Sequence, residues 1–74
     1  MKRGKNDAET CRLNGWAAGT YLRGLNGWAA STIRITAIGE DMILARCIEW
    51  DDRRVEASEQ TWTLSCRDWL KVLR

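Results

Sequence analysis

The sequence predicts an all-β fold, a small barrel of five short strands. Three observations carry this. From Thr20 to Val72 the apolar residues recur with a period of two, the repeat of a half-buried strand. The periodic stretches are short and separated by polar turns that carry Gly, Asn or Asp. The chain has 74 residues and no proline, enough for one domain only. A domain of this size buries only about 60% of its unfolded surface. Closing the sheet on itself removes the edges that would otherwise pair with other chains.

Residues 1–12 are polar, mixed in charge and aperiodic. They read as a flexible N-terminal arm with a short helical turn over residues 7–12, and the barrel domain spans 13–74. The basic tip, Lys2, Arg3 and Lys5, is either a phosphate contact or a solvated tail. The first strand covers Thr20, Tyr21, Leu22 and Arg23, ending at Gly24. The second, from Thr32 to Thr36, points Ile33 and Ile35 inward and Thr32, Arg34 and Thr36 outward. Gly39, Glu40 and Asp41 form a tight turn, with Gly39 expected to supply positive φ. The third strand runs from Met42 to Trp50, with Ile43, Ala45 and Cys47 on one face. Met42, Leu44, Arg46, Ile48 and Trp50 take the other, also largely apolar, so the strand is central and partly covered on both sides. Asp51, Asp52, Arg53 and Arg54 cancel pairwise as a solvated hairpin tip. A strand beginning at Val55 and one over residues 61–65 follow, with Trp62 and Leu64 inward. Residues 66–68 suit a single 3₁₀ turn and residues 69–73 a last strand. A helix over residues 66–74 competes, because Trp69, Leu70 and Leu73 also fit helical spacing.

Composition narrows the function classes. The net charge of +2 is mild and does not demand a nucleic-acid partner. Cys11, Cys47 and Cys66 are odd in number and widely spaced, and the chain has no histidine. No zinc ligand set results, and no metal or cofactor is expected. The cysteines read as buried, reduced thiols; a Cys47–Cys66 disulfide is the alternative, disfavoured in a reducing compartment. No apolar run is long enough to span a membrane, and no apolar region follows the basic N-terminus, so a cytoplasmic protein without a membrane partner is expected. Without imidazole no ordinary triad can form. Glu40 with Asp41, and Glu49 with Asp51 and Asp52, are acidic clusters at turn tips, where solvated charge is the usual reason. No phosphate-binding glycine loop is present. The chain is expected not to be an enzyme.

The strand Met42, Ile43, Leu44, Ala45, Arg46 is similar to the central strand of SH3-like domains, where a small residue sits in the core; that resemblance makes Ala45 core. Leu64, Ser65, Cys66, Arg67, Asp68 and Trp69, then Leu70, Lys71 and Val72, resemble the strand, 3₁₀ turn and strand that end the same fold. The segments ITAIGEDMILAR and TLSCRDW also resemble small uncharacterised proteins of bacteria and their phages. The resemblance implies a five-stranded SH3-like barrel. It does not extend to proline-rich ligands, since the chain lacks the Ala-Leu-Tyr-Asp-Tyr opening and has Cys66 in the region of the expected turn proline. A functional step from this fold is analogy only.

The hexapeptide LNGWAA occurs twice, at residues 13–18 and 25–30. Asn-Gly prefers the left-handed backbone of a tight turn. Two readings compete: the same turn used twice, with Trp16 and Trp28 plugging the ends of the barrel, or two Trp side by side as an aromatic surface. Five Trp in so short a chain favour some exposure. The function expected is a binding module acting on a protein partner, as a phage or bacterial factor that modulates a host machine. A nucleic-acid binder using an Arg/Trp surface is the alternative. The contact residues expected are Trp16, Trp28, Arg23, Arg34 and Arg46, the three arginines aligned on one outer face. The expected state is a monomer or weak homo-oligomer.

Overall fold

A computed structural model describes residues 6–26, 29–64 and 68–73. Trp28, and Cys66 with most of the 3₁₀ turn, lie outside the described residues. The described residues form one helix followed by an antiparallel sheet: α1 (Asp7–Asn14), β1 (Tyr21–Asn26), β2 (Ala29–Ile38), β3 (Ile43–Trp50), β4 (Arg53–Arg54), β5 (Gln60–Trp62) and β6 (Asp68–Val72).

The all-β reading of residues 20–73 holds, and residues 68–72 are strand rather than helix. The closed five-stranded barrel is corrected. The strand order is β4-β3-β2-β1-β6, with β5 pairing β3, and no ladder joins β5 to β6 among the described residues. Side chains bridge that gap instead. Trp62 meets Trp69 edge to face at 6.1 Å between ring centroids, and the Trp69 indole Nε1–H donates to the Leu64 carbonyl at 3.1 Å. The strand expected from Val55 is not formed, residues 55–59 having no strand structure, and the strand expected over residues 61–65 is β5, Gln60–Trp62.

The helical turn expected over residues 7–12 is a helix of eight residues, Asp7–Asn14. Asn6 caps it, its side chain accepting the Glu9 amide at 2.7 Å. Gly15, at φ 74°, ends it; the Trp16 amide reaches the Cys11 carbonyl and the Gly15 amide the Arg12 carbonyl, a Schellman motif. An eight-residue helix is marginal alone; this one is tied down at both sides. Ala8 and Cys11 are fully buried in the core. Arg12 donates to the carbonyls of Gly39 and Glu40, and the Asp7 carboxylate accepts the Leu64 amide at 2.9 Å. The helix therefore clamps the β2–β3 turn to the C-terminal half of the chain.

The inner face of the sheet is as the alternation predicts: Leu22, Ile33, Ile35, Ile43, Ala45 and Cys47 are buried with Leu64 and Trp69. Cys47 is buried; the Cys47–Cys66 disulfide alternative falls on Cys66, outside the described residues. Two register shifts interrupt the pairing of β2 with β3, leaving Thr36 and Ile48 as extra residues. The second shift moves Trp50 opposite Ser31, so Trp50 no longer shares the face of Leu44 and Arg46. Thr32 is buried rather than solvent-facing; the register places it between the longer Arg23 and Glu49 on the strands to either side. Gly39 does not supply the expected positive φ. Among the described residues the left-handed ones are Gly15 and Gly19, with Asp51 and Asp52 in the β3–β4 turn.

Candidate binding face

The outer face of the sheet collects the arginines. In an antiparallel pair, residues directly opposite share a face. Tyr21 lies opposite Arg34, and Arg34 lies opposite Arg46. Arg23, two residues from Tyr21 on β1, shares that face. The register therefore brings Arg23, Arg34 and Arg46 onto one side, with Tyr21 among them. Arg34 is positioned by the Tyr21 ring, its guanidinium carbon 5.9 Å from the ring centroid. Arg23 leans toward the β3–β4 turn and meets Asp52 at 3.4 Å. That pair is exposed and worth about 0–1 kcal/mol. Among the described residues neither Arg34 nor Arg46 has a carboxylate within ion-pair distance.

An open groove of about 840 Å³ borders these residues. It exists because β3 loses its ladder between two short partners. Glu49 pairs with Arg54 in β4 and Ala45 with Gln60 in β5, and residues 55–59 cross the interval without strand structure. Tyr21, Arg34 and Arg46 line one side, and Arg54, Glu56 and Glu59 the other. The groove thus carries both signs of charge. On the β6 side the same outer face turns apolar: Leu70 lies opposite Arg23 and Val72 opposite Tyr21, and Leu25 and Leu70 are more than half exposed.

Trp16 does not join this face. It is half-buried and packs against the core, beside the Schellman turn that closes α1. The two copies of LNGWAA do different jobs: the first ends a helix, whereas Leu25 and Asn26 of the second end β1, with Asn26 opposite Ala29. Tyr21 is not among the contact residues expected from the sequence, although its two-residue spacing from Arg23 places both on one side of a strand. Arg54, Glu56 and Glu59 carried no comparable signal, because only the β3 interruption brings them to the groove.

Other chemistry is sparse. Among the described residues no group of three or more Cys, Asp or Glu is placed to hold a metal ion. Asp41 of the first acidic pair accepts from the Asn6 side chain at 3.0 Å and so serves to dock the helix. No helix of the described residues is long and apolar enough to cross a membrane.

An antiparallel sheet with a capping helix and one basic, partly apolar outer face defines a small β domain with a built surface. The chain belongs to the family described as "Domain of unknown function (DUF7241)", whose model matches residues 5–74 and so includes the helix as well as the sheet. No curated protein and no solved structure matches the chain.

Proposed function

We propose that the protein is a non-enzymatic binding module, a small cytoplasmic bacterial or phage factor that modulates a host machine by holding an acidic protein surface against the outer face of its sheet. The observation that carries this reading is the convergence of Arg23, Arg34 and Arg46 around Tyr21 on that face. Arg and aromatic side chains dominate binding hot spots. The adjoining Leu25, Leu70 and Val72 suit a protein surface better than a sugar-phosphate chain, and Glu56 and Glu59 across the groove would repel a continuous polyanion. An SH3-like kinship belongs to the same proposal. It is supported by the β1-β2-β3 meander and the return of the last strand to β1.

A second reading is a single-stranded nucleic-acid binder, supported by the Tyr21 ring and the arginines beside it, a combination that stacks bases and tracks phosphates. Affinity capture from a bacterial lysate, with and without nuclease, separates the two. The wild type is compared with the double variant Arg34→Glu, Arg46→Glu. A defined protein partner that survives nuclease and is lost in the variant supports the first reading. Capture that disappears with nuclease and falls steeply with salt supports the second. Capture by the variant equal to wild type removes the outer face from either.

A further inference from the structure

We infer that Arg34 and Arg46 form an oxyanion clamp for a carboxylate of the partner, an aspartate or glutamate side chain presented into the groove. The inference rests on the outer face being the binding surface and names the group it recognises. Its starting point is an unfavourable arrangement. The two arginines are directly opposed on neighbouring strands, where opposing residues stand about 5 Å apart and like charges destabilise the pair. Both are exposed. Glutamates line the same groove, yet among the described residues neither guanidinium has a carboxylate within ion-pair distance. Among the described residues, the fold thus leaves two adjacent cations with no carboxylate in ion-pair contact.

A carboxylate has the shape to relieve this. Each guanidinium presents a planar fork of donors, and the two oxygens of one carboxylate accept from two forks at once. The Tyr21 ring under Arg34 fixes one fork before the ligand arrives, so less side-chain freedom is lost on binding. Arg54, Glu56 and Glu59 on the far side of the groove select the surroundings of that carboxylate. The fitting segment carries an acidic residue for the clamp and a basic or neutral flank for the glutamates. A uniformly anionic strand meets repulsion there.

The test is an NMR titration of the isotope-labelled protein, reading the Arg Nε–Hε signals. The probes are a synthetic hexapeptide with one glutamate flanked by glycines and a lysine, the same peptide with glutamine for glutamate, and a six-nucleotide oligothymidine. Saturable shifts of Arg34 and Arg46 with the glutamate peptide alone are expected. Arg34→Gln or Arg46→Gln weakens that binding about tenfold or more. Arg34→Lys, which keeps the charge and loses the fork, does not restore it. The urea midpoint of Arg46→Gln stays at or above that of wild type, because the substitution relieves a repulsion. A residue needed for the fold would lower it.

Shifts with the oligothymidine but not the glutamate peptide overturn the carboxylate assignment and leave the face as a binding surface. Absence of shifts with every probe overturns the clamp, while the face itself is still decided by the capture experiment. Full affinity in Arg34→Lys overturns the paired-fork geometry.

Discussion

At the scale of single residues, four of the described positions hold left-handed backbone: Gly15, Gly19, Asp51 and Asp52. Gly15 ends α1 at φ 74° with open space where a Cβ would stand, so the cost of a side chain there is backbone strain alone. Gly15→Ala should lower unfolding stability in urea by about 1–2 kcal/mol. Gly39→Ala should change it by about 0.5 kcal/mol or less, since Gly39 has no positive φ and its Cβ would meet only the Met42 carbonyl at 3.4 Å. Equal losses at the two sites would contradict this account. Asp51 and Asp52 form a two-residue hairpin at φ 52° and 63°, a geometry that prefers Gly at its second position. Asp52→Gly should therefore stabilise by about 0.5 kcal/mol or more, even though it removes the exposed pair with Arg23. The Asn-Gly of the first hexapeptide announced a turn. The backbone of Asp51 and Asp52 was hidden, because two acids followed by two bases explained the stretch as a solvated tip without asking which way it folds.

One residue links this scale to pH. Burial pushes the Cys11 thiol above its ordinary 9.0; the nearby Asp7 carboxylate pushes the same way and Arg12 opposes. With the folded value raised, the unfolded chain loses this proton first as pH rises. The stability it contributes is whole below pH 9.0 and is lost as pH climbs through the folded value. The urea midpoint of the wild type should fall more steeply above that pH than the midpoint of Cys11→Ala. Parallel pH profiles would show that the thiol is not kept neutral by the fold.

At the scale of elements, β6 is an edge strand with an unusual composition. Leu70 and Leu73 are strongly exposed, and an apolar edge invites pairing with another chain. Lys71 lies on the inner-face side of this strand, opposite Leu22. A charge that must stay in water at that place discourages addition of a further strand. Lys71→Val should produce concentration-dependent association in sedimentation velocity with little change in the stability of the monomer. A strictly monomeric variant would show that the edge is blocked by something else. The strand itself was readable, since Trp69 and Lys71 alternate with Leu70 and Val72. The helix was only half readable. Asn6, Glu9 and Gly15 stand at the capping positions, but its buried face is only Ala8 and Cys11, too small an apolar stripe to register as periodicity.

At the scale of the whole molecule, the core is closed by contacts between segments far apart in the chain. Asp7 is the hinge of this arrangement, because its carboxylate accepts the Leu64 amide from 57 residues away. Asp7→Ala leaves that partly buried amide without its partner and should cost about 1–3 kcal/mol. Hydrogen exchange should then show faster exchange at Leu64 and in α1 together. Loss of protection in the helix alone would mean that the two segments are not coupled. The closed barrel was expected because closure removes edges. The protein instead leaves β5 on β3 and spans the remaining gap with the Trp62 and Trp69 rings, keeping Lys71 on the edge that stays open.

The alternation of Ile33 with Ile35, and of Ile43 with Ala45 and Cys47, was enough by itself to name the strands and most of the core. It reports which side of its own strand a residue takes, and that is a local property of extended backbone. Tertiary structure alone decided the extra residues Thr36 and Ile48, the face given to Trp50, the docking of α1 and the meeting of Tyr21, Arg34 and Arg46. Each of these depends on which residue of a second strand or turn stands opposite. No period within one segment carries that information, because register is set by pairing between segments.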